Sequence, residues 1–194
     1  RQRQMCIRDR SEGVSSFWSD AMTEIAQRQL AYTESAKNFT VDKALGETLA
    51  QAHHYTRYGD WYGNPYGSWD VMFVAFCQHY AGIPEDVIPQ CASLLQLRTE
   101  LENAHPEYIT PGGSEATPGD IVLYTNAAGE ETIGIVTAYD GANLTVVSGA
   151  VDGAVAAVTV AEADVTNTIR VLDAYGVYAV SYTHLRAHET VLDL

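Results

Sequence analysis

Positive charge is scarce in this sequence. It has 11 Lys and Arg against 25 Asp and Glu in 194 residues, a net charge of −14. Nucleic acids and anionic membrane surfaces are held by clustered Lys and Arg, so the composition argues against both as partners. Cysteine is scarce too, with three in the chain. A metal centre needs two or three partnered ligands, which the sequence does not offer: the adjacent His53 and His54 stand alone. Asn126 to Glu131 is too sparse in regularly spaced carboxylates for a calcium loop. There is no phosphate loop, no Gly-x-Ser-x-Gly elbow, no long repeat and no low-complexity segment. No metal and no cofactor are expected.

The two ends read differently from the middle. Residues 1–10 (RQRQMCIRDR) resemble the translated read-through of a sequencing adapter, and Val180 to Thr190 (VSYTHLRAHET) resembles the opposite adapter in the same frame. Residues 1–10 and 180–194 are therefore set aside as non-native, and with them Cys6, His184 and His188. Without their five Arg and three acidic residues, the remainder has 6 basic and 22 acidic residues, a net charge of −16. Residues 11–179 are enough for a single domain with its own core.

Along that domain, helical periodicity comes first and strand character second. Ser16 to Tyr32 reads as an amphipathic helix with Met22, Ile25, Ala26 and Leu30 inside. Asn38 to Gln51 has helical spacing at Val41, Ala44 and Leu45, weakened by Gly46. A third helix spans about Gln90 to Ala104, with Cys91, Leu94, Leu95 and Leu101 inward. His105 to Pro118 is a loop by its Pro, Gly and Ser content. Beyond Gly119, strands are expected at Asp120 to Thr125, Thr132 to Tyr139, Asn143 to Ser148 and Ala154 to Val160, with a candidate fifth at Ile169 to Leu172. The Asp140-Gly141 and Asp152-Gly153 pairs are hairpin signals. A helical part at about 16–104 and a β part at about 119–175 make an α+β domain.

The stretch from Tyr58 to Gly82 (YGDWYGNPYGSWDVMFVAFCQHYAG) organises the rest. It reads as an aromatic, Gly-rich loop feeding a helix that starts near Ser68 and is apolar almost all round, hence buried. Ser68 is the expected N-cap and Gly82 the stop. Cys77 and Cys91 would either form a disulfide closing a loop of about 14 residues or stay as two inert thiols.

This stretch resembles the segment around the nucleophile of the CHAP family, the cysteine- and histidine-dependent amidohydrolases and peptidases that cut bacterial cell-wall peptides. The likeness is greatest to copies in surface proteins of gut Firmicutes. It extends to Tyr32-Thr-Glu-Ser35 with Asn38-Phe39, to Pro118-Gly-Asp-Ile-Val122 and to Ile133-Gly-Ile-Val136, and covers about Glu24 to Tyr175. The resemblance implies a papain-like arrangement, N-terminal helices packed on an antiparallel sheet of about five strands. It implies that the catalytic Cys, His and orienting residue fall at Asp70, Thr132 and Ser148.

None of those three suits the reaction. A carboxylate is a poor nucleophile toward an amide, a threonine hydroxyl is no general base near neutral pH, and a serine does not replace the orienting carboxylate or amide. No other set replaces them, since Cys77 lies two turns inside the helix and His79 and His105 read as ordinary hydrogen-bonding residues. The expectation is a degenerate copy, a pseudoenzyme, acting as a binding or scaffolding module in a larger extracellular or surface-displayed bacterial protein. Its expected ligand is peptidoglycan peptide or glycan, its neighbours the flanking domains of that protein. Trp61, Tyr62, Tyr66 and Trp69, with Asp70, are the candidate ligand groove. Packing of the same rings onto the core is the competing reading, and the competing functions are a rewired amidase or peptidase and a ligand-free spacer.

Overall fold

A computed structural model of the chain describes residues 17–35, 41–42, 47–48 and 55–171. Both adapter-like ends, most of Asn38 to Gln51 and the His53-His54 pair lie outside them. Among the described residues the fold is α+β: four helices, α1 (Phe17–Arg28), α2 (Arg57–Tyr62), α3 (Asp70–Ala81) and α4 (Leu94–Ala104), precede the main sheet. Six strands, β3 (Ile109–Pro111), β4 (Ile121–Thr125), β5 (Glu131–Tyr139), β6 (Asn143–Val151), β7 (Ala154–Ala161) and β8 (Val165–Ile169), form an antiparallel sheet in the order β3-β8-β4-β5-β6-β7. The short strands β1 (Val41–Asp42) and β2 (Glu47–Thr48) pair antiparallel where a helix was the sequence expectation.

The central helix α3 is buried over most of its length, with His79 and Tyr80 near its end exposed. Val71, Val74, Ala75 and Gln78 are all inaccessible, and Met72, Phe73 and Cys77 join them. It packs on β5, β6 and α1, in a cluster that includes Met22, Leu97, Leu101, Ile133, Ile135 and Val147. A second apolar cluster, with Val122, Val136, Leu144, Val146 and Val160, fills the other face of the sheet. Because both faces are covered, β4 reads as an unbroken apolar run, Ile121 to Tyr124, instead of an alternation.

Several boundaries differ from those read in the sequence, each for a local reason. Helix α1 stops at Arg28, because Ala31 takes a left-handed φ of 66° and the chain turns to run beside β7. Leu30 is consequently exposed. The supposed aromatic loop contains α2, capped by the Thr56 hydroxyl on Gly59 N and closed by Gly63 at φ 87°. Ser68 does not cap α3; Trp69 occupies the N-cap position without a side-chain bond. Helix α4 begins four residues later than expected, at the Ser93 cap, which turns Leu95 to solvent and brings Leu97 inward. The expected loop after His105 holds the sixth strand, β3, and the last strand lies at Val165–Ile169, ahead of the expected Ile169 to Leu172.

Two features fix the sheet against the helices. Asp152 and Gly153, both at positive φ (50° and 76°), make the two-residue β6–β7 hairpin turn. Gly134 and Gly149 allow close approach: a Cβ on Gly134 would meet Ser148 Oγ at 2.3 Å, and one on Gly149 would meet Phe73 Cβ at 2.8 Å. Any larger residue at either position forces strands or helix apart.

Candidate functional site

The site forms where the start of α3 meets the start of β5. Asp70 is the first residue of α3, its carboxylate at the positive end of the helix dipole. The Thr132 hydroxyl donates to Asp70 Oδ2 at 3.1 Å, and the Ser68 hydroxyl donates to Oδ1 at 3.2 Å. Tyr124 on β4 faces Thr132 across the ladder. Its hydroxyl shares a buried 2.8 Å hydrogen bond with Ser148 Oγ, and burial raises its pKa. The positions taken from the sequence resemblance thus separate into two layers. Asp70 and Thr132 touch, and Ser148 is wholly buried beneath them, hydrogen-bonded to Tyr124.

Asp70 and Thr132 open into a groove of about 1050 Å³. Its walls come from the β4–β5 turn, the end of β6 and the outer strand β7, and carry Glu130, Glu131, Asp152 and Asp164. At the end of β6 the ladder shifts register at Gly149 and Ala150, and Ala150 takes φ 59°. Such a bulge bends the strand and opens the wall beside Asp70.

The aromatic residues do not assemble there. Trp69 is 1% exposed, stacked on the buried Tyr58 at 5.5 Å, with Nε1–H donating to Glu34 Oε2 at 3.1 Å. Trp61 packs on Phe76 and His79, near the far end of α3. At 1.5 Å rise per residue those contacts lie roughly 9–13 Å along the axis from Asp70. The Tyr62 hydroxyl donates to Gln90 O at 3.3 Å, and the exposed Tyr66 rests on Tyr55. None of Trp61, Tyr62, Tyr66 and Trp69 lines the groove, so of the expected ligand set only Asp70 does. The periodicity of α2, hidden among glycines, is what sets the rings apart. The groove carboxylates have no sequence signal beyond their turn positions.

The other candidate groups are structural. Cys77 and Cys91 are free and buried; burial pushes the Cys77 thiol strongly up. Cys91 is pushed up to about 12 by burial first and then by Glu100, whose carboxylate lies 3.7 Å away. Neither is a thiolate near neutral pH. His105 stacks on Tyr108 and bonds Asp86 O through Nε2 at 3.0 Å. Among the described residues no three His, Cys, Asp or Glu converge as a metal site, and no helix is long and apolar enough to cross a membrane.

The Pro118-Gly-Asp motif is a clamp at the end of β4 opposite Tyr124, beside Val136. Asp120, with no exposed surface, accepts from Thr117 N and Oγ1 and from Val171 N, all at 2.9 Å. Arg170 Nε lies 3.3 Å from the same carboxylate. Gly119, at φ 95°, lets the chain pass against Ser19 of α1, where a Cβ would come within 2.4 Å.

Compared with models of protein families, with curated proteins and with solved structures, the chain matches none.

Proposed function

We propose that the chain is a CHAP-like, papain-like domain without hydrolase chemistry, serving as a binding or scaffolding module of a larger extracellular bacterial protein. Its ligand in this reading is peptidoglycan peptide or glycan, taken up in the groove above Asp70. One observation carries the proposal: the residue opening α3 and the residue opening β5 are in contact, Thr132 Oγ1 to Asp70 Oδ2 at 3.1 Å. A thiol and an imidazole in those two places would be a nucleophile and its base. A carboxylate and a hydroxyl there hold each other, and both are poor nucleophiles toward an amide.

The test is to restore the pair and measure thiol ionisation. In a Cys6→Ser background, the pH profile of iodoacetamide alkylation is compared for Asp70→Cys and for Asp70→Cys/Thr132→His. An imidazolium within hydrogen-bond reach lowers a thiol's pKa, so the midpoint should fall by about one unit or more on adding Thr132→His. Identical profiles in two folded variants would remove the hydrolase ancestry from the proposal.

A further inference from the structure

The two edges of the main sheet are protected differently. Strand β3 is three residues long and ends in Pro111, which are two common ways of preventing a further strand from pairing. Strand β7, at the other edge, runs for eight residues (AVAAVTVA) without a charge, a proline or a break on its own side of the ladder. Among the described residues only its start is covered: Ala31 N donates to Val155 O at 3.1 Å, Val155 N donates to Tyr32 O at 2.8 Å, and Thr33 bridges Ala154. Both backbone groups of Val155 therefore point outward. With a period of two, so do those of Ala157 and Thr159. Among the described residues no backbone partner lies along these two, and both side chains are exposed.

The ends of this edge are acidic. Asp152 precedes it, Glu162 and Asp164 follow it, and no Lys or Arg occurs from Asp140 to Asp164. A second copy pairing antiparallel on β7 would bring Asp152 of one chain toward Glu162 and Asp164 of the other with no cation between them. Like charges placed opposite each other in a ladder are destabilising. We propose that β7 accepts an extended peptide strand from another protein, uncharged at its centre and carrying Lys or Arg at its flanks. Main-chain hydrogen bonds to Ala157 and Thr159 supply the binding, and Asp152, Glu162 and Asp164 select the flanks. This inference does not rest on hydrolase ancestry, although Thr159, Asp152 and Asp164 also line the groove that opens at Asp70.

The probe is a seven-residue peptide of alternating Val and Thr between Arg ends, titrated by fluorescence anisotropy onto the full chain, with amide exchange followed residue by residue. Exchange at Ala157 and Thr159 should slow, and Thr159→Pro should weaken binding by about tenfold, since it deletes one outward N–H and leaves the carbonyl facing it unpaired. Thr159→Lys, which keeps the backbone intact, should weaken the Arg-ended peptide and strengthen a Glu-ended one. The proposal is overturned by unchanged exchange at both residues up to millimolar peptide, or by equal affinity in a folded Thr159→Pro chain. Equal affinity for Arg and Glu ends overturns the charge selection. A concentration-dependent dimer that Thr159→Pro abolishes would replace the partner strand by a second copy.

Discussion

Trp69→Ala should cost the domain about 3–5 kcal/mol, the range for emptying a large aromatic site in a packed core. Trp69 is nearly inaccessible, stacks on Tyr58 and meets Tyr32 edge-on. Its indole N–H holds Glu34, which lies against the β6–β7 turn at Gly153. The substitution leaves a cavity between α2, α3 and the segment following α1, and removes the indole N–H from the Glu34 carboxylate. Urea unfolding checks this. A variant with unchanged stability but reduced wall binding would return Trp69 to the ligand surface that the sequence pattern first suggested.

Asp120→Ala should be comparably damaging. Three hydrogen bonds and the Arg170 guanidinium converge on one buried carboxylate, and its removal leaves the Thr117 and Val171 N–H donors without their acceptor and takes from Arg170 one of its two carboxylates, Glu115 being the other. Breaking such a cluster from one side costs about 3–5 kcal/mol, even where the intact cluster is worth little against an apolar replacement. Burial raises the Asp120 pKa above 3.8, against the opposing bonds from Thr117 and Val171 and the charge of Arg170. A folded pKa above the unfolded one means that the folded chain takes up the proton first. This contribution to stability is complete below pH 3.8 and is lost as the pH rises through the folded value. The deficit of Asp120→Ala relative to the parent should therefore be larger at pH 3 than at pH 7. Guanidinium unfolding at the two values measures it, and a smaller deficit at pH 3 would contradict the account.

These two residues also mark how far the sequence could be read. The buried helix at Asp70–Ala81, the four strands from Ile121 to Ala161 and the turn at Asp152-Gly153 were legible, because apolar periodicity and turn chemistry are local signals. Strand β3 was not: three residues beside a proline carry no periodicity, and their partner β8 is about 60 residues away in sequence. The aromatic stretch misled in the same way. Composition announces rings, and only packing decides that Trp69 and Tyr58 face the core while Tyr66 and Trp61 face elsewhere. The contact of Asp70 with Thr132 was legible through resemblance alone, since no local pattern joins residues on a helix and a distant strand. The open edge of β7 follows from strand order, which no single segment encodes.

The proposal that matters most is that this chain keeps the site positions of a cell-wall hydrolase without their chemistry. The direct measurement is to incubate the folded chain with purified bacterial wall sacculi and to follow newly exposed amino groups, beside an active wall hydrolase. The account predicts no release above the protein-free control, together with sedimentation of the chain with the sacculi. Release that disappears in Asp70→Ala would contradict it, and would make Asp70 the centre of a rewired amidase or peptidase.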